Sequence, residues 1–78
     1  MNQVLDHVMA SHGISVGDIC THLNLTQSNV SSQLTGLKHR KLVDNGYGKW
    51  YCATSVIELD DNMIEITHHN GDVEIWES

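Results

Sequence analysis

Residues 14–53 read ISVGDICTHLNLTQSNVSSQLTGLKHRKLVDNGYGKWYCA, and the fold is decided there. Ser15 stands three positions before Asp18, an acid-terminated capping box that satisfies free backbone N–H groups at a helix start. Val16, Ile19 and Leu23 follow at i, i+3 and i+7, which makes one apolar face. This helix is expected to stop near Asn24, a residue that tolerates left-handed backbone, with Leu25 tucked inward behind it. Thr26 then caps a third helix, with Asn29 at its third position. Val30, Leu34 and Leu37 form that helix's buried face. Gln27, Ser28, Asn29, Ser31, Ser32, Gln33, Thr35, Gly36 and Lys38 cover the rest of it. Ser, Asn, Thr and Gly are weak helix formers, so packing has to hold this helix together. From Leu42 the period changes to two. Leu42-Val43-Asp44 leads into Asn45-Gly46, a strong hairpin signal, and Lys49 to Ala53 returns as a strand, with Gly48 adding slack at the tip.

On the N-terminal side, Val4, Leu5, Val8 and Met9 share one helical face, which predicts a first helix over Asn2–His12. Gly13 is placed to cap it, and Ile14 to pack back on its end. On the C-terminal side, Val56 to Leu59 reads as a strand and Asp60 to Asn62 as a turn. Ile64–His69 and Asp72–Glu77 flank a second Asn-Gly pair, Asn70-Gly71. A two-residue loop there puts Ile66 opposite Ile75 and His68 opposite Val73. Ile64, Ile66, Val73 and Ile75 then share one face, and Glu65, Thr67, Glu74 and Trp76 the other. A lone hairpin is barely stable, so the apolar face must cover the wing, the first helix or a second subunit.

Seventy-eight residues predict one domain over 1–78, divided into a front (1–53) and a tail (54–78). With 40% hydrophobic and 18% charged residues the chain is expected to fold, and it has no proline and no linker-like run. No apolar run approaches the length of a membrane span, and the Met-Asn-Gln-Val-Leu-Asp start lacks a signal peptide's basic and apolar regions. A cytoplasmic protein is the expectation, and Cys20 and Cys52, without CxxC spacing, read as buried thiols rather than a disulfide or metal pair. The net charge of −6 is unevenly placed. Residues 1–53 hold all four basic residues (Lys38, Arg40, Lys41, Lys49) against three acids, whereas residues 54–78 hold seven acids and no base.

Helix, short helix, helix and hairpin is the order of a winged helix-turn-helix, an α+β fold, here with an additional C-terminal β-hairpin. The run from Asp18 to Leu37, with Leu42-Val43 and the Gly46–Tyr51 segment after it, resembles the helix-turn-helix and wing of the ArsR and MarR families of bacterial regulators. That resemblance implies a transcriptional regulator that binds double-stranded DNA sequence-specifically as a homodimer. It places the helix at residues 26–40 in the major groove and the wing at 43–52 beside it. Thr26 and the helix N-terminus would face a phosphate, and Gln27, Ser28, Asn29, Ser31 and Ser32 would face base edges and phosphates. Gln33, Lys38, His39, Arg40 and Lys41 would be phosphate contacts, and Tyr47 and Lys49 wing contacts. The chain departs from these families in three ways. Ser32 and Gln33 stand where cationic side chains are frequent. Ser15 and Gly17 occupy the cysteine positions of the metal-sensing ArsR proteins. An acidic β-tail replaces the dimerising C-terminal helix.

No acid occurs from Thr26 through Leu42, a seventeen-residue run that an ordinary solvated helix would not show. The cluster Lys38-His39-Arg40-Lys41 also complements the helix dipole, and both readings can hold together. Six histidines invite a metal, but His68 and His69 are neighbours on a strand and point apart, and neither His7/His12 nor Cys20/His22 shares a helical face. Neither a metal nor another cofactor is expected. Trp50 and Trp76 read as core or interface anchors in a chain without phenylalanine. Without a nucleophile elbow or a phosphate-cradling loop, no enzyme is expected. The alternative to DNA binding is a winged-helix protein-binding module, an anti-repressor, inhibitor or DNA mimic, acting through the acidic C-terminal β-surface.

Overall fold

The computed structural model describes residues 3–77; Asn2, assigned above to the first helix, lies outside them. Three helices, α1 (Gln3–Met9), α2 (Val16–Leu23) and α3 (Gln27–His39), precede five strands. These are β1 (Asp44–Gly46), β2 (Lys49–Tyr51), β3 (Ser55–Glu58), β4 (Met63–Thr67) and β5 (Val73–Glu77), with a short 3-10 turn at Asp60–Asn62. The architecture is α+β, a winged helix. No described helix is long and apolar enough to cross a membrane.

The capping chemistry acts where the residues place it. Ser15 Oγ accepts from the Asp18 amide at 3.2 Å, and Thr26 Oγ1 accepts from the Asn29 amide at 3.2 Å. Asn24 ends α2 in the left-handed region (φ 55°). Val30, Leu34 and Leu37 are buried. Each is worth about 1.5–3 kcal/mol of apolar burial, which offsets the poor helix propensity of α3.

α1 is shorter than its apolar pattern. It ends at Met9, where the Ser11 hydroxyl and amide both turn back to the Val8 carbonyl. Gly13 is therefore not its cap. It adopts φ +112° so that Ile14 can pair antiparallel with Trp50, through N···O contacts of 2.8 and 3.1 Å. Ile14 thus bridges to the outer edge of the two-stranded wing.

Both Asn-Gly pairs mislead, for different reasons. In the wing, Asp44 pairs with Tyr51 and Gly46 with Lys49, so the turn is Tyr47-Gly48 rather than Asn45-Gly46. Both turn residues have positive φ (49° and 77°), as a tight two-residue hairpin requires. Gly46 lies inside the strand, where an added Cβ would come within 2.8 Å of Val56 Cγ1. Its glycine character serves the approach of β1 to β3.

In the tail, His69-Asn70-Gly71 make a three-residue loop, with His68 N–H donating to Asp72 O at 2.7 Å and Gly71 at φ +93°. One extra residue shifts the register by one, which exchanges the faces of β5. Ile66 pairs with Glu74 and Ile64 with Trp76, so Trp76 packs inward while Val73 and Ile75 face outward. The tail is also a three-stranded antiparallel sheet, β3-β4-β5, rather than a hairpin alone.

Two apolar clusters result. One is helical, built on Val4, Val8, Ile19, Val30, Leu34, Leu37 and Val43, with Trp50 and both cysteines, as free thiols, packed against it. The other joins Tyr51, Ala53, Val56, Ile64 and Ile66 beneath Trp76. The Trp76 ring lies 5.6 Å from His12, 5.9 Å from His68 and 6.0 Å from Tyr51, between centroids. Its indole donates to Glu74 Oε2 at 3.1 Å, and His68 Nε2 meets Glu74 Oε1 at 2.7 Å. These two hydrogen bonds, Trp76 first, hold the Glu74 carboxyl below the usual glutamate range. A depressed folded-state pKa stabilises fully above the unfolded value, about 4.3, and the contribution is lost as pH falls through the lower folded value. Trp76 emission, read in a Trp50→Phe background, should therefore change only below about pH 4.3, and Glu74→Gln should remove that transition. A midpoint at or above the ordinary value would contradict the Glu74 contacts.

Candidate nucleic-acid interface

α3 offers its surface in three strips. Gln27, Ser28, Asn29 and Ser32 are exposed on the N-terminal half, and Thr35, Gly36, Lys38, His39 and Arg40 on the C-terminal half. Ser28, Ser32, Thr35 and His39 follow i, i+4, i+7, i+11 spacing, opposite the buried Val30, Leu34 and Leu37. On one flank Gln33 Nε2 donates to Asn29 Oδ1 at 2.5 Å, which holds two amide side chains side by side. On the other flank Ser31 is half-buried, and its carbonyl accepts from Thr35 Oγ1 at 2.9 Å. A shallow groove of about 200 Å³ runs past Ser32, Gln33, Gly36 and Arg40. An added Cβ at Gly36 would meet nothing within 4 Å, so the notch in the helix surface is open to a ligand.

The basic residues divide into two kinds. Lys38 Nζ donates to Asn45 Oδ1 at 2.9 Å and lies 3.5 Å from Asp44 Oδ1, which ties α3 to the wing. Arg40, Lys41 and Lys49 are exposed. Lys41 closes the helix in the left-handed region (φ 60°), and the Leu42 amide reaches back to the Leu37 carbonyl at 3.1 Å. Thr26 is spent on its cap.

Tyr47 is turned away from the α3 face. Its amide donates to Glu58 Oε2 at 2.7 Å and its hydroxyl donates to the Leu59 carbonyl. Desolvation, then the Glu58, Asp60 and Asp61 carboxylates, push its phenol above the ordinary range. The wing tip therefore sits in negative potential, which suits a phosphate backbone poorly. Lys49, next to Trp50 on β2, is the wing's cationic side chain.

Two residues of the site, Asp44 and Gly36, are not among the candidate contacts. Asp44 links three elements: Oδ1 accepts from the Asn45 amide and faces Lys38, and Oδ2 accepts from the Val56 amide at 2.8 Å. Its partners lie up to twelve positions away, so no local spacing announces it. Gly36 did carry a signal, as an isolated glycine inside a helical pattern.

A family model described as MarR family matches residues 3–46, from α1 to the end of β1. No curated protein and no solved structure matches the chain.

Proposed function

The chain belongs to the MarR family, and from that premise we propose that it is a transcriptional regulator that reads duplex DNA with α3. One observation carries this reading: α3 is a capped, acid-free helix whose outward side chains are short hydrogen-bonding groups standing clear of the rest of the protein. Gln27 and Asn29 can pair with adenine edges, Gln33 steadies the Asn29 amide, and Ser28 and Ser32 let the helix come close to the groove floor. Arg40, Lys41 and Lys49 supply phosphate contacts, while Lys38 sets the angle between α3 and the wing. A homodimer presents two such helices to a pseudo-palindrome, in the cytoplasm.

Selection from random-sequence duplexes, followed by fluorescence anisotropy at ~50 mM salt, tests this. The expected result is an enriched pseudo-palindrome with half-sites about 10 base pairs apart or a multiple of that. The slope of log affinity against log salt should be shallow, about −3 to −5 per dimer, because so few cations are free. No enriched duplex would end the reading.

A further inference from the structure

The tail sheet has one covered edge and one bare edge. Along β3, the wing covers the edge: Asp44 takes the Val56 amide, Glu58 takes the Tyr47 amide, and Gly46 lies against Val56. β5 has β4 as its one strand neighbour among the described residues. Its outer backbone groups form a template for another strand. The face beside that edge carries three exposed apolar side chains around Glu65. Val73 is 55%, Ile75 51% and Ile57 49% exposed, and the register aligns Ile57, Glu65 and Ile75 across the three strands.

Charge selects among the strands that this edge could accept. Asp72, Glu74 and Glu77 lie on or beside β5, and no lysine or arginine follows Lys49. A second copy paired antiparallel about Ile75 would set Glu74 opposite Trp76 and Glu77 opposite Val73, and its strand carries no lysine or arginine to answer either carboxylate. The same acids attract a cationic strand. We propose that β5 is a docking edge for a basic, extended segment of another protein. That segment adds as a fourth strand, its apolar side chains over Val73 and Ile75 on one face and its cationic side chains toward Glu74 on the other. This surface is separate from α3, so the proposal does not rest on DNA binding.

The probe is a synthetic peptide of alternating valine and lysine, titrated into the isotopically labelled full chain by heteronuclear NMR. Amide shifts should concentrate on Val73–Glu77 and leave α3 unchanged. Binding should weaken at least tenfold for a peptide of equal charge whose central valines are replaced by proline, which cannot donate to a ladder. Ile75→Lys, at a half-exposed outward position, should have the same effect. Because the proline control alters the peptide and not the protein, misfolding of the variant cannot mimic it. Equal binding of the proline peptide, shifts spread over all acidic residues, or no binding at all would overturn the proposal. So would a concentration-dependent dimer that Ile75→Lys dissociates, which would make the second copy the occupant.

Discussion

Ser32→Glu should lower affinity for a selected duplex at least about 100-fold, or ~3 kcal/mol, with no loss of thermal stability. Ser32 is exposed at the middle of the outward strip of α3 and makes no hydrogen bond that holds the fold. Surface substitutions of this kind stay within about 0.5 kcal/mol in stability. A carboxylate at that position would face phosphates and base-edge acceptors, with only Arg40 and Lys41 near the helix end to offset it. Anisotropy titrations of both proteins against the same duplex, with circular-dichroism melts alongside, separate the two effects. If affinity is unchanged while the melt is also unchanged, α3 is not the reading element. Glu65→Gln, on the tail sheet away from α3, is a suitable control and should leave affinity within about twofold.

The second large effect is on stability. Gly13→Ala should cost about 3 kcal/mol, which for a domain of this size lowers the melting temperature by roughly 10–20 °C. Two causes add. At φ +112° an L-residue is strained, and the new Cβ would lie 2.6 Å from Tyr51 Cε1. Tyr51 is 3% exposed and its ring packs edge-on to Trp76, so it has nowhere to move. Total stability for 78 residues is of the order of 4–12 kcal/mol, so the loss is a large share of it. Gly48→Ala isolates the backbone cause, because Gly48 also has positive φ (+77°) but an added Cβ there meets nothing within 4 Å. It should cost only about 1 kcal/mol. Equal losses at both positions would show that the Tyr51 contact does not set the size of the effect.

The helical half was legible because its signals are local. Ser15, Asn24 and Thr26 act on backbone groups within a few residues, and Val30, Leu34 and Leu37 share a face by helical period alone. The wing was legible as a hairpin, but its turn was not. Gly46 and Gly48 look equivalent in sequence, and only the approach of Val56 shows that Gly46 belongs inside the strand. Of the candidate contacts, Ser28, Ser32 and His39 share the outward strip of α3, with Asn29 and Gln33 on one flank and the half-buried Ser31 on the other. Lys38 is engaged by Asp44 and Asn45, and Tyr47 by Glu58 and Leu59, through contacts that cross six to twelve positions.

The opening stretch, residues 14–53, by itself determined α2 and α3, their N-terminal caps and their order before the wing, since capping and apolar periodicity are properties of neighbouring residues. The tertiary structure alone decided which face of the tail is buried. One extra loop residue, His69 ahead of Asn70-Gly71, turned Trp76 inward and Val73 and Ile75 outward, because side chains alternate along a strand and a shift of one exchanges the two faces.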